Sequence, residues 1–79
     1  MLAGCAGDGS SEREIPLSDV PVNVIRAAEA EFPGIRFTEA EIESNGGVEV
    51  YELEGELDGK EIELKISPDG EVLQIAEES

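Results

Sequence analysis

An α+β fold, with one N-terminal helix packed on a four-stranded antiparallel meander sheet, is predicted by three features of this 79-residue chain. A single stripe of apolar residues at helical spacing ends near Phe32. The remainder alternates apolar and charged residues with period two, and the alternating runs are separated by Gly46/Gly47, Asp58/Gly59 and Asp69/Gly70. Connections this short join neighbouring strands in antiparallel pairs. One helix covers only one sheet face, so the other is left to solvent or to a partner.

The stripe comprises Pro21, Val24, Ile25, Ala28 and Phe32, and its spacing predicts a helix over about Val20 to Glu31. Ser18 or Asp19 is expected to cap it, with Pro21 in the first turn, where a missing N–H does no harm. Phe32, Pro33 and Gly34 end it, because proline disfavours helix at the residue before it and glycine permits the reversal.

Four strands follow, at Ile35 to Ser44, Val48 to Leu57, Lys60 to Ser67 and Val72 to Glu77. With Asp58 and Gly59 as a two-residue turn, Leu57 opposes Lys60, Gly55 opposes Ile62, Leu53 opposes Leu64 and Tyr51 opposes Ile66 on the core face. The same register sets Glu56 against Glu61, Glu54 against Glu63 and Glu52 against Lys65 on the other face. A turn at Gly46/Gly47 adds Ile42 opposite Tyr51 and Ala40 opposite Leu53 inside, with Glu41 meeting Glu52 and Glu39 meeting Glu54 outside. In the last hairpin Ile66 is expected to face Leu73, and Leu64 to face Ile75. Ile35 and Phe37 are out of phase with Ala40 and Ile42, which predicts a β-bulge near Thr38 and Glu39.

Composition narrows the function classes. Hydrophobic residues make up 39% of the chain, but three aromatics keep the core small and its stability marginal. Twenty acidic residues against five basic ones give a formal charge of -15. That excess repels nucleic acid and anionic membrane surfaces and favours a basic protein partner. No apolar run approaches the roughly 20 residues needed to span a bilayer.

Leu2, Ala3, Gly4 and Cys5 resemble the lipobox of bacterial lipoproteins, in which the cysteine thiol receives diacylglycerol. Cys5 is the only cysteine, so no intrachain disulfide competes for it. Ala6 to Glu14 is small and polar, as expected of a flexible tether. Residues 1–16 are therefore expected to be a lipobox-like start and tether, and residues 17–79 the folded domain. Such a signal carries a basic and then an apolar segment before the cysteine, so an upstream start is expected. The implied location is extracytoplasmic, periplasmic or at the cell surface, with membrane contact only through lipid on Cys5.

The candidate binding residues are Glu41, Glu52, Glu54, Glu56, Glu61 and Glu63, on the face away from the helix. Directly opposed like charges destabilise a sheet, and a basic extracytoplasmic protein would relieve them. The alternative is a solvated acidic surface that keeps the sheet soluble and holds divalent cations loosely, with no specific partner. No loop has the fixed ligand spacing of an EF-hand, so neither a specific metal site nor a cofactor is expected. The chain has no histidine, and its cysteine lies in the tail, which removes the usual nucleophile and base pairings. An enzyme is not expected.

Three segments, VPVNVIRAAEAEFPG, YELEGELDGKEIEL and SPDGEVLQIAEE, resemble a single PepSY-like domain over roughly Leu17 to Glu78. The resemblance rests on the Val20/Pro21 entry, the Phe32/Pro33/Gly34 exit, Tyr51, the Asp58/Gly59/Lys60 turn, and Asp69/Gly70 before a final apolar strand. It implies the helix-on-sheet fold of the β-lactamase inhibitor protein and a place outside the cytoplasm. It further implies binding, with inhibition as one form of it, of another envelope protein or peptidase. No site residues carry over from the family.

Overall fold

The computed structural model of the protein describes residues 10–78. Its sheet is organised by two tight turns. Gly46 and Gly47 have φ of 61° and 86°, and Asp58 and Gly59 have φ of 54° and 80°. Two consecutive positive φ values make turns whose twist matches that of the flanking strands. They join β2 (Arg36–Asn45) to β3 (Val48–Leu57), and β3 to β4 (Lys60–Ile66). Every pair expected across these hairpins is found, including Leu53 with Leu64, Glu54 with Glu63, and Glu41 with Glu52. The register shifts between Phe37 and Glu39, where the phase change had placed a bulge.

The helix α1 (Val22–Glu31) lies on the inner face. Its start differs from expectation: Pro21 occupies the N-cap position without a side-chain cap, and Ser18 and Asp19 belong to a preceding 3-10 turn over Leu17–Asp19. Proline pre-sets the backbone for the first turn, so the helix begins one residue after it. At the far end the Phe32 amide donates to the Ala28 carbonyl, and Gly34 reverses the chain at φ 89°. Val24 and Ala28 are fully buried against Leu53, Leu64 and Ile66, which are buried too. Burial of each of the larger of these, Val24, Leu53, Leu64 and Ile66, contributes roughly 1.5–3 kcal/mol. Asn23 Nδ2 donates to the Pro68 carbonyl at 2.9 Å and fixes the helix start to the turn between β4 and the last strand, β5 (Val72–Glu78).

Two further expectations are corrected. The sheet has five strands, in the order β1-β2-β3-β4-β5, because Ser10–Ile15 pairs antiparallel with β2 as β1. That segment falls in the stretch expected to be a tether. Its side chains are almost all polar, but its backbone closes the otherwise open edge of a ten-residue strand. Leu2 to Cys5 and the rest of residues 1–9 lie outside the described residues.

The last hairpin differs as well. Ser67 donates its amide to the Glu71 carbonyl at 2.9 Å, and its Oγ accepts the Glu71 amide at 3.1 Å. The chain therefore returns one residue early, with Ile66 opposite Val72, and a bulge restores Lys65 with Gln74 and Leu64 with Ile75 in β5 (Val72–Glu78). Leu73 is the extra residue. It is half exposed and lines a groove with Val48, Val50 and Lys65 on the outer face.

Gly55 has a role that its place in the core pattern does not reveal. A Cβ there would lie 2.8 Å from the Arg36 carbonyl oxygen and 2.9 Å from Ile35 side-chain carbons. Gly55 is paired with Phe37, at the register shift between Phe37 and Glu39. Gly55→Ala is expected to destabilise the domain by about 1–3 kcal/mol through forced backbone displacement. Urea unfolding should show a lower midpoint with an unchanged slope.

Candidate functional site: the acidic outer face

Period two carries the glutamates of five strands to one face in four cross-strand rows. Toward the Gly46/Gly47 turn lies Glu12–Glu43–Val50, and next to it Glu14–Glu41–Glu52–Lys65–Gln74. Then come Glu39–Glu54–Glu63–Ala76 and, toward the Asp58/Gly59 turn, Arg36–Glu56–Glu61–Glu78. Eleven of these residues are glutamates and two, Arg36 and Lys65, are cations. The six glutamates selected from the sequence thus share one surface, but they are not equivalent. Glu56 and Glu61 are exposed, Glu41, Glu54 and Glu63 are half-buried, and Glu52 retains only 9% exposure.

The two cations are already engaged. Arg36 Nη2 donates to Glu56 Oε1 at 2.7 Å, an exposed pair across β2 and β3 that contributes little stability. Lys65 stands opposite Glu52 in register, yet its Nζ lies 3.4 Å from Glu43 Oε1. The Glu43 charge accordingly raises the Lys65 pKa.

Glu52, at the centre of the face, makes no salt bridge among the described residues, and the opposed Lys65 favours its charged form only from beyond that distance. The Glu52 pKa is pushed up to about 8, first by a hydrogen bond shared with the Glu63 carboxyl, then by burial and by the Glu63 charge. The Glu52–Glu63 contact is diagonal, since Glu63 pairs directly with Glu54. One proton held on Glu52 turns the repulsion into a hydrogen bond at neutral pH. Burial also raises Glu54, helped by Glu39 and Glu63, and raises Glu41, helped by Glu12 and Glu39.

Two shallow grooves mark the face. The first, about 220 Å³, lies between the Glu54 and Glu56 rows, with Thr38, Glu61, Glu63, Ala76 and Glu78 on its walls. The second, about 410 Å³, is lined by Glu43, Asn45, Val48, Val50, Lys65, Leu73 and Gln74 and is partly apolar. In addition, Glu12, Glu43 and Glu52 each bring a carboxylate oxygen within 4.8 Å of the others. Three such oxygens fall short of the six to eight that calcium takes, and the Lys65 ammonium already pairs with Glu43. Sequence reasoning missed Glu12 and Glu14, since a Ser-Glu-Arg-Glu segment with one apolar residue at its end reads as tether. It also missed the apolar groove, because only the Leu73 bulge brings that side chain outward.

The fold and this face define a class, a small helix-on-sheet module whose chemistry is that of a charged, shallowly grooved surface. The chain has no histidine, and no cysteine lies among the described residues. The protein belongs to the PepSY family, since the model described as peptidase propeptide and YPEB domain matches residues 23–75, as a single copy. That match runs from α1 into β5 and leaves β1 outside. No individual curated protein and no solved structure matches the chain. Domains of this family are of propeptide or inhibitor type and typically extracytoplasmic. Among the described residues, no helix is long and apolar enough to cross a membrane.

The raised Glu52 pKa has a direct consequence for stability. A carboxyl that binds its proton more tightly when folded than the usual value of 4.5 stabilises the fold below that pH, and the contribution is lost as pH rises toward about 8. Glu41 and Glu54 act in the same direction. Unfolding free energy should fall between pH 5 and pH 8 by an amount on the order of a few kcal/mol. Glu52→Gln, a neutral isostere, should flatten this slope and make the protein more stable than wild type at pH 8. Urea titrations across that range check it.

Proposed function

We propose that this protein is an extracytoplasmic binding module that docks a basic surface of another envelope protein, a peptidase among them, on the outer face of its sheet. The observation that carries this reading is the crowding around Glu52, a nearly buried carboxyl flanked by Glu41, Glu54 and Glu63 whose opposed cation, Lys65, is paired with Glu43 instead. A lysine or arginine from a partner would supply the missing charge where solvent screening is weakest. Membership of a propeptide and inhibitor family supports a protein partner over a small molecule. Inhibition of a peptidase would follow if the bound face covers its active site. The Leu2 to Cys5 motif supports placing the module at a membrane through lipid on Cys5.

A second reading keeps some support. The proton on Glu52 and the pairs Arg36–Glu56 and Lys65–Glu43 already relieve part of the repulsion, which suits a purely solubilising surface. The two readings separate on mutation. A pull-down from an envelope extract should retain a partner on the wild type and lose it on a variant carrying Glu41→Gln, Glu52→Gln, Glu54→Gln and Glu63→Gln. Equal retention by both would leave the solubilising surface as the better account.

Binding should also release protons. A partner cation beside Glu52 lowers its pKa, so at pH 7 the complex sheds the proton that the free protein holds, and affinity rises with pH toward about 8. Calorimetry in buffers of different ionisation enthalpy measures that release. For the anchor, metabolic labelling with a fatty acid should mark the wild type and not Cys5→Ser.

A further inference from the structure

The partner's cations need a backbone to present them, and the sheet offers one place to receive it. Among the described residues β5 pairs only with β4, at the edge of the sheet. It also carries two of the four large apolar residues that are exposed among the described residues, Leu73 at 51% and Ile75 at 40%. The opposite edge, β1, carries none.

The two sides of β5 differ in chemistry. On the helix side Ile75 stands opposite the buried Leu64 and extends the core surface toward the edge. On the outer side Ala76 stands opposite Glu63, and Glu78 opposite Glu61. Ala76 is small, so the groove of about 220 Å³ behind it stays open toward the strand edge. A strand added beside β5 with alternating apolar and basic residues would set the apolar ones beside Ile75 and pass the basic ones over Ala76 to Glu61, Glu63 and Glu78.

From this we infer that the free edge of β5 takes a basic, extended segment of the partner protein as an added strand. The inference rests on the outer face being a docking surface for a basic partner, and it names how that partner is held. Charge selects this occupant over a second copy of the chain. Two copies would each bring a formal charge of -15, and pairing β5 with itself would crowd Glu71, Glu77 and Glu78. A lysine-bearing strand gains where a second copy is repelled.

The test uses the full chain, labelled with ¹⁵N, and a capped seven-residue peptide alternating lysine and valine, matched to the length of β5. Titration should shift the amides of Val72–Glu78, and full backbone N-methylation of the peptide should weaken binding at least about tenfold, because charge and side chains are kept while the strand donors are lost. Binding that shifts only the Glu41, Glu52 and Glu54 region and ignores N-methylation would overturn strand addition and leave the outer-face reading standing. No shift at millimolar peptide would also overturn it, and the outer-face reading would then fall only with its own glutamine test.

Discussion

The two left-handed turns at Gly46/Gly47 and Asp58/Gly59 are the constraint on which the rest of the structure depends. Because strand side chains alternate, slipping a hairpin by one residue would exchange the two faces and drive the glutamates of β3 against α1. The turns forbid that slip by fixing which residues face each other, so Leu53, Leu64 and Ala40 meet under the helix while Glu52, Glu54 and Glu63 meet outside. A core with three aromatics in the whole chain has little surplus with which to correct a wrong register. Local turn chemistry decides it instead.

That register forces a compromise on the outer face. Directly opposed carboxylates such as Glu54 with Glu63 and Glu56 with Glu61 each weaken the sheet, and the surrounding water screens only the exposed ones. The structure answers in two ways. At the rim Arg36 reaches Glu56, which costs little because both groups stay hydrated. In the centre Lys65 pairs with Glu43 and only partly offsets the charge on Glu52, so a proton shared with Glu63 relieves that carboxyl. Mutating a rim glutamate should therefore change little, whereas the central ones govern how the face responds to pH and to charge.

The parts legible in the sequence are those fixed by local chemistry. Period two, the turn pairs and the phase break at Thr38 gave β3 at its observed ends and β2 and β4 to within one residue of theirs, with the six glutamates on one face. The parts that were not legible depend on contacts between distant segments. Nothing in Ser10–Ile15 resembles a strand core, and it becomes β1 only because β2 offers an open edge. Leu73 turns outward because Ser67 closes its turn one residue early, a detail of Ser67 Oγ and the Glu71 amide that no periodicity records. Pro21 replaced Ser18 and Asp19 at the helix start because the 3-10 turn had already taken those two residues. The nearly buried state of Glu52 likewise follows from a sheet one strand wider than the alternation implied, since Glu12 and Glu43 crowd it from that side.

A proton and the proposed cationic partner would compete for the same carboxylates. A group that holds a proton to about pH 8 in the free protein is a group whose charged form is incompletely compensated, and any cation that compensates it further must displace the proton. By linkage, each proton bound weakens a cationic partner as much as that partner weakens the proton. A module built this way would hold its partner more loosely as the surroundings acidify while its own fold became more stable. An acidic surface evolved only for solubility has no need of a nearly buried carboxyl at its centre, because fully hydrated glutamates serve that purpose at lower cost. The position of Glu52, nearly buried within the sheet face, is thus the feature that weighs toward recognition.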